Sequence, residues 1–173
     1  METLTCRQAA IEDVSAMARL RDASGWAGGA SAETMRRYLA GDHHPQQARA
    51  SRTAFVAEAA GVLQGFVAGH LTARFDCDGE VQWLLVASAA RGGPVAAALL
   101  GAMAAWFVAE RAARVCVNVA AENLRARRFY ARHGAVELSE HWMVWPDIAA
   151  AVGRQGRYEA ASSNITRRSN RES

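Results

Sequence analysis

Three groups of residues in this chain have the types and spacing to do chemistry. Glu80 opens an otherwise apolar run, EVQWLLVA. A carboxylate beside a buried strand acts as a general base when its surroundings raise its affinity for a proton. The same residue also fits a polar strand end after the Asp76-Cys77-Asp78-Gly79 turn. The second group lies in ENLRARRFYARHG, where Asn123 and Tyr130 stand seven residues apart. That is close to two helical turns, so both share one face. An asparagine near a helix start can bond the amides of a ligand, and a tyrosine can donate a proton. A polar cap and a half-buried tyrosine are the plainer alternative. Arg125, Arg127, Arg128 and Arg132 read as a solvated face. The third group is Arg91-Gly92-Gly93-Pro94, between a strand end and a helix start. Free N–H groups and the positive end of a helix dipole suit an anion there. Arg91 would add a charge-assisted bond. An ordinary strand-to-helix loop has the same appearance. The turn is neither a G-x-G-x-x-G fingerprint nor a phosphate loop, since no Gly-Lys-Ser/Thr occurs.

The elements that must position these residues follow from periodicity. LTCRQA alternates as a strand, and Ile11, Val14, Met17 and Leu20 have helical spacing. Ser31 is a fitting N-cap for a helix from Ala32 to Leu39, which Gly41 ends. GDHHPQQARASR reads as a polar loop. Strands are expected over Ala54 to Glu58 and Val62 to Leu71, joined by a tight turn at Ala60-Gly61. Glu80 to Ala87 is a strand whose apolar end implies burial on both faces. A helix from Pro94 to about Ala113 carries Leu99, Leu100, Met103, Trp106 and Phe107 on a broad apolar face. Arg114 to Ala120 is a strand, and Glu122 to His133 a helix closed by Gly134. AVELSEHWMVW supplies one or two last strands. This order calls for a mixed sheet flanked by helices.

The order of elements and two motifs resemble the GNAT superfamily of acetyl-CoA-dependent N-acetyltransferases, over roughly Leu4 to Ile148. The family's pyrophosphate motif, Gln/Arg-x-x-Gly-x-Gly/Ala, falls on Arg91-Gly92-Gly93-Pro94-Val95-Ala96, with Pro94 in place of the middle glycine. The family's asparagine, followed two turns later by Tyr and then Gly, matches Asn123, Phe129-Tyr130 and Gly134. LTCRQAAIEDV looks like its first strand and helix. The resemblance implies an α/β (α+β) fold: a mixed, mostly antiparallel central sheet of six or seven strands flanked by about four helices. It also implies site roles. The backbone of Leu84, Leu85 and Val86 would hold the pantetheine arm of coenzyme A. Arg91, Gly92, Gly93, Pro94, Val95 and Ala96 would hold the pyrophosphate, and Asn123 would contact the pantetheine region. Tyr130 would protonate the departing thiolate. Glu80 would take a proton from the acceptor ammonium, directly or through water. Pro94 removes one N–H donor, yet proline suits the first turn of a helix. The cradle is expected to be weaker than usual by roughly 1 kcal/mol.

Composition narrows the rest. The chain has 173 residues, 51% hydrophobic and 21% charged, the mix of a soluble globular protein. One domain over 1–148 is expected, followed by a polar, arginine-rich and disordered tail over 149–173. No apolar run reaches the ~20 residues of a membrane span. The opening residues lack the pattern of a signal peptide, so a cytoplasmic location is expected. All 20 basic residues are arginines. The net charge of +3 resides from Gly153 onward, where five arginines face two glutamates. The neutral body gives no sign of a basic nucleic-acid-binding face. Cys6, Cys77 and Cys116 fit neither a disulfide framework nor a zinc site. Cys6 and Cys116 read as core residues and Cys77 as exposed. His43-His44 has no third metal ligand in view, and no metal is expected.

The implied activity is transfer of acetyl from acetyl-CoA to a primary amine, in a ternary complex, with a small molecule the favoured acceptor. Asp76, Asp78 and Glu80 could draw a cationic amine, an aminoglycoside-like polyamine being one example. Trp26, Trp83, Trp142 and Trp145 could wall its pocket, Trp83 and Trp142 being the two that more readily join the core. A homodimer is compatible with this reading. The alternatives are a non-catalytic acyl-CoA-binding module, suggested by Pro94, and an acetyltransferase acting on a protein or an aminoacyl-tRNA. A third is nucleic-acid binding through the tail.

Overall fold

The computed structural model describes residues 3–26 and 30–152. The elements, in chain order, are β1 (Thr5–Gln8), α1 (Val14–Ser24), α2 (Ala32–Ala40), β2 (Ala48–Ala59), β3 (Val62–Thr72), β4 (Gly79–Val86), α3 (Val95–Ala109), β5 (Val115–Asn118), α4 (Leu124–Arg132), β6 (Val136–Ser139) and β7 (Trp142–Trp145). The strands form one sheet of seven in the order β1-β2-β3-β4-β5-β7-β6. Every neighbouring pair is antiparallel except β4 and β5, which run parallel. The mixed, mostly antiparallel sheet expected from the sequence is therefore present.

Local chemistry accounts for most boundaries. The Ser31 hydroxyl accepts the Thr34 N–H at 3.1 Å and caps α2, and Gly41 ends it in the left-handed region. Ala60 and Gly61 both have positive φ, 50° and 74°, the turn whose twist matches a β-hairpin. α3 ends at Ala109, short of the expected Ala113, because Arg111 takes positive φ, and two other boundaries differ more in what they bury. β2 begins at Ala48, inside the stretch read as a polar loop. Its first residues are largely exposed, so they lack the alternating burial that marks a strand in sequence. The second is the end of the packed unit. Ile148 is fully buried, Ala151 is 2% exposed, and Val152 packs on the same core. Core packing therefore continues past 148 to Val152, and the residues of the expected tail from 153 lie outside the described residues.

The core has a layer on each side of the sheet. On one side α3 packs Leu99, Leu100, Met103 and Phe107 against Val67, Val81, Val115 and Val117. On the other, α1 and α2 bring Met17, Met35 and Tyr38 onto Val56, Phe66, Ala68 and Trp83. Glycines let α3 lie close: a Cβ on Gly69 would stand 2.8 Å from the Met103 sulfur, and one on Gly79 2.4 Å from the Phe107 ring. Cys116 is buried as expected and Cys6 is half-buried. Cys77 is a correction. It is 3% exposed, because its side chain turns inward onto Cys116 and Val144 although its neighbours in the turn are polar. Among the described residues no helix is long and apolar enough to cross a membrane.

Candidate active site

The site begins with one extra residue in β4. Ala68 of β3 pairs with Trp83, but the next residue, Gly69, pairs with Val81. Gln82 is left over as a β-bulge, a device that bends a strand and re-aims its side chains. Val81 consequently faces α3, while Trp83 faces α1 and α2, although two residues apart they would normally share a face. The parallel pairing with β5 stops at the same place. Gly79, Glu80 and Val81 pair with Val115, Cys116 and Val117, and nothing beyond them pairs. Gln82 to Val86 therefore present an open edge toward β5. Leu84, Leu85 and Val86, expected to hold a pantetheine arm through their backbone, all lie on it.

Glu80 sits beside the bulge, 5% exposed, opposite His70 of β3. Its Oε2 accepts the Arg74 Nε–H at 3.1 Å. Arg74 also donates to the Gln46 carbonyl at 3.0 Å and lies over the Trp142 ring at 4.9 Å. The buried charge is thus compensated by a guanidinium that is itself held on three sides. His70 is fully buried, with Nε2 3.5 Å from the same Oε2. Its Nδ1 is 2.9 Å from the Tyr38 hydroxyl. Glu80 Oε1 has no hydrogen-bond partner among the described residues, yet it is not among the buried polar atoms left unbonded. It is the carboxylate oxygen open to an incoming group.

The glycine turn lies past the end of the open edge. Arg91, Gly92, Gly93 and Pro94 are all exposed. Gly92 has φ 82°, which favours glycine, and a Cβ there would meet open space. Pro94 caps α3 with φ −79° and ψ −7°. The N–H groups of Val95, Ala96 and Ala97 have no acceptor among the described residues, as the first turn of a helix dictates. Three converging donors at the positive end of a 15-residue helix suit a pyrophosphate. Arg91 is folded back, its Nε donating to the Val86 carbonyl at 3.3 Å, with its terminal nitrogens left free of protein partners among the described residues.

The α4 residues divide. The Asn123 side-chain oxygen accepts the Ala126 N–H at 3.2 Å, so the residue is the N-cap of α4. Its amide nitrogen remains available. Tyr130 is 6% exposed, its ring edge-on to Trp145 at 5.4 Å. Burial pushes its hydroxyl well above the ordinary tyrosine range, so it stays protonated and able to donate. The hydroxyl has no side-chain bond among the described residues and is not one of the fully enclosed polar atoms left unbonded, so it borders open space. Arg127 departs from the solvated face: it donates to the Val119 and Glu140 carbonyls at 3.3 and 3.1 Å, and ties α4 to the sheet.

The expected acidic cluster is not assembled. Asp78 turns away and accepts the N–H groups of Ala113 and Arg114 at 2.9 and 3.0 Å. Those bonds hold its carboxyl below the usual range. With Asp78 bonded to backbone amides and Glu80 paired to Arg74, only Asp76 of the three is exposed with no side-chain bond among the described residues. Trp83 and Trp145 are core residues, Trp145 donating to the His133 carbonyl at 3.1 Å. Trp26 is 37% exposed, outside both core layers. Trp142 is half-buried and meets Phe75 edge-on at 5.0 Å, above Arg74. His43 and His44 belong to a loop gripped by Arg52. Among the described residues no group of three or more His, Cys, Asp or Glu could hold a metal ion.

Sequence reasoning missed Tyr38, His70 and Arg74. A signal existed for His70, which shares the even face of β3 with Phe66 and Ala68. None existed for Arg74, whose loop carries no period.

An open strand edge leading to a helix N-terminus suits a long amide-bearing arm that ends in phosphate. A recessed carboxylate with one free oxygen suits removal of a proton from an amine. The class so defined is the acyl-CoA-dependent N-acyltransferases. Residues 20–135 match the model of the acetyltransferase (GNAT) family, and the chain belongs to that family. Acetyl-CoA is accordingly its acyl donor. Solved structures agree on the fold. Ard1 from Thermoplasma volcanium superposes with a TM-score of 0.67 at 18% identity, over 82% of this chain and 95% of that one. The ribosomal-protein-S18-alanine N-acetyltransferase from Escherichia coli gives 0.65 at 15% identity, over 84% and 94%. A chimera of the Vibrio cholerae spermidine N-acetyltransferase SpeG and hSSAT gives 0.64 at 18% identity, over 86% and 98%. No curated protein matches by sequence.

Proposed function

We propose that this acetyltransferase transfers acetyl from acetyl-CoA directly to the primary amine of a small molecule, within a ternary complex. The observation that carries the reading is Glu80: buried, charge-compensated on one oxygen and open on the other, where β4 leaves β5. Bound acetyl-CoA supplies an acyl carbon activated as a thioester. The β4 edge from Leu84 to Val86 binds its arm, with Asn123 contributing the free side-chain amide. The Gly92 turn and the Val95 to Ala97 amides bind its pyrophosphate. Glu80 Oε1 takes a proton from the acceptor ammonium, which frees the nitrogen lone pair to form the new amide bond. As the thioester C–S bond breaks, Tyr130 donates its hydroxyl proton to the departing sulfur and is reprotonated by the second proton shed from the new amide nitrogen.

Two features support this over the alternatives. Burial pushes the thiols of Cys77 and Cys116 above their ordinary value, so neither is a ready nucleophile for an acyl-enzyme. The carboxylate is recessed behind Arg74, and the edge-on Phe75–Trp142 pair packs beside that guanidinium, which favours a slender amine. With Asp78 engaged elsewhere, the attraction for a polycation is less than the sequence implied. The proteins of similar fold act on both kinds of acceptor, by their names a small polyamine and a ribosomal protein.

The test is thermal stabilisation by acetyl-CoA, then release of free thiol across a panel of small amines and of peptides with free N-termini or lysines. Glu80→Gln and Tyr130→Phe should each lower kcat by ~10²–10⁴-fold, the usual weight of general acid–base assistance, with affinity for acetyl-CoA nearly unchanged. Turnover confined to peptides would replace the small-molecule acceptor. Binding of acetyl-CoA without turnover on any amine would leave a binding module.

A further inference from the structure

His70 Nε2 is the one buried side-chain nitrogen or oxygen that lacks a hydrogen-bond partner among the described residues. Interiors rarely leave such a group unpaired, and each instance calls for a reason. The surroundings of His70 supply one. The Tyr38 hydroxyl has a single partner, His70 Nδ1, at 2.9 Å. The phenol is buried against Trp83, with Arg52 stacked over its ring. A buried hydroxyl with no other acceptor must donate to that nitrogen. Nδ1 then carries no hydrogen, and the ring hydrogen belongs on Nε2. Nε2 lies 3.5 Å from Glu80 Oε2, within ion-pair distance but without a hydrogen bond.

We propose that His70, with its tautomer set by Tyr38, is the positioning residue for Glu80. Resting on the reading of Glu80 as the base, this names what aims it. Two donors converge on Oε2: Arg74 Nε at 3.1 Å and His70 Nε2 at 3.5 Å. None reaches Oε1. The carboxylate plane is held from behind, and Oε1 is the oxygen that faces the acceptor amine. Arg74 comes from a short loop and is partly solvent-exposed, whereas His70 comes from the middle of the sheet. The rigid element therefore sets the direction, in the way that groups behind a reacting side chain fix its orientation.

The proposal makes two measurements agree. Long-range ¹H–¹⁵N spectra of the full chain, labelled in histidine, should show His70 as the Nε2–H tautomer in the wild type. The Nε2 signal should shift on Glu80→Gln, and the tautomer preference should be lost on Tyr38→Phe. In thiol-release assays with the best amine of the panel above, His70→Leu should lower kcat about tenfold or more, the weight of a hydrogen bond to a charged group. The KM for acetyl-CoA should stay unchanged. His70→Gln, whose amide nitrogen can reach the place of Nε2, should restore most of the loss. An Nδ1–H tautomer in the wild type overturns the proposal. So does a folded His70→Leu variant with unchanged kcat, or one that Gln fails to rescue. If His70→Leu does not fold, the wild-type tautomer decides alone. If no amine is acetylated, the assignment of Glu80 as base fails separately, while the spectra still report whether His70 is aimed at it.

Discussion

Replacing Pro94 by alanine tests the proposed coenzyme cradle at its weakest point. Pro94 has φ −79° and ψ −7°, a right-handed conformation that alanine adopts without strain. Its carbonyl already accepts the Ala98 N–H at 2.9 Å, so the helix start is preserved. Alanine adds a fourth amide beside those of Val95, Ala96 and Ala97. A hydrogen bond to an ionised oxygen contributes about 1.5–3 kcal/mol. The turn is exposed from Arg91 to Pro94, which favours the low end of that range. Losing proline frees the unfolded chain and costs about 0.4–1 kcal/mol of stability, part of which reappears as ordering on binding. The net is ~1 kcal/mol of added affinity, about fivefold in Kd. Calorimetric titration with coenzyme A measures it, and pantetheine, which lacks the pyrophosphate, is the control. Coenzyme A should bind about fivefold more tightly and pantetheine equally. Unchanged or weaker coenzyme A binding in a folded variant would refute the placement of a pyrophosphate at these amides.

Gly79→Ala would force a Cβ to within 2.4 Å of the Phe107 ring, which is itself fully buried. Overpacking of this kind costs ~1–3 kcal/mol, and urea denaturation should show the loss, partly recovered by adding Phe107→Leu. Asp78→Ala removes the acceptor of the Ala113 and Arg114 amides and should destabilise the start of β5. The folded carboxyl of Asp78 is depressed, chiefly by those two bonds, so its stabilisation is present above the ordinary carboxylate value and lost as pH falls through the folded value. The gap between wild type and Asp78→Ala in urea melts should therefore be wide at about pH 7 and narrow below about pH 4. A gap that does not depend on pH would assign the effect to packing instead.

The sequence was most legible where one period or one cap decides the outcome. Ser31, Gly41 and the Ala60-Gly61 turn act within a few residues, and each stands where local chemistry placed it. The edge of β2 was not legible, because exposed strand residues carry no alternation. The packing of Ile148 and Ala151 was hidden for a similar reason: a short alanine-rich segment looks polar-adjacent until the sheet it covers is known. At the candidate site, the types and order of Glu80, Asn123, Tyr130 and the Arg91 turn were visible. Their partners were not. Arg74 reaches Glu80 from only six residues away, but through a loop in which Phe75 and Asp76 take positive φ, and nothing in their side chains announces that path. Tyr38 and His70 are 32 residues apart and meet only because α2 lies on β3. Asp78 shows the opposite error. Adjacency in sequence grouped it with Glu80, while the backbone amides of Ala113 and Arg114 hold it elsewhere.

One bulge accounts for much of the site. A regular strand would put Val81, Trp83 and Leu85 on one face, and Gln82, Leu84 and Val86 on the other. With Gln82 extruded, Val81 joins Leu84 and Val86 under α3, while Trp83 and Leu85 pack beneath α1 and α2. The same shift leaves Glu80 opposite His70, on the side where Tyr38 waits. It also twists β4 out of line with β5, so that the pairing ends at Val81 and the edge beyond it stays open. The buried Glu80 carboxylate and the unpaired edge, on which the proposed site rests, thus have a common origin. Regular pairing would pull both away together: closing the edge would return Val81 to the face of Trp83 and turn Glu80 out of register with His70. The bulge is therefore a condition of the proposed site, and Arg74 is the cation that compensates the buried carboxylate there.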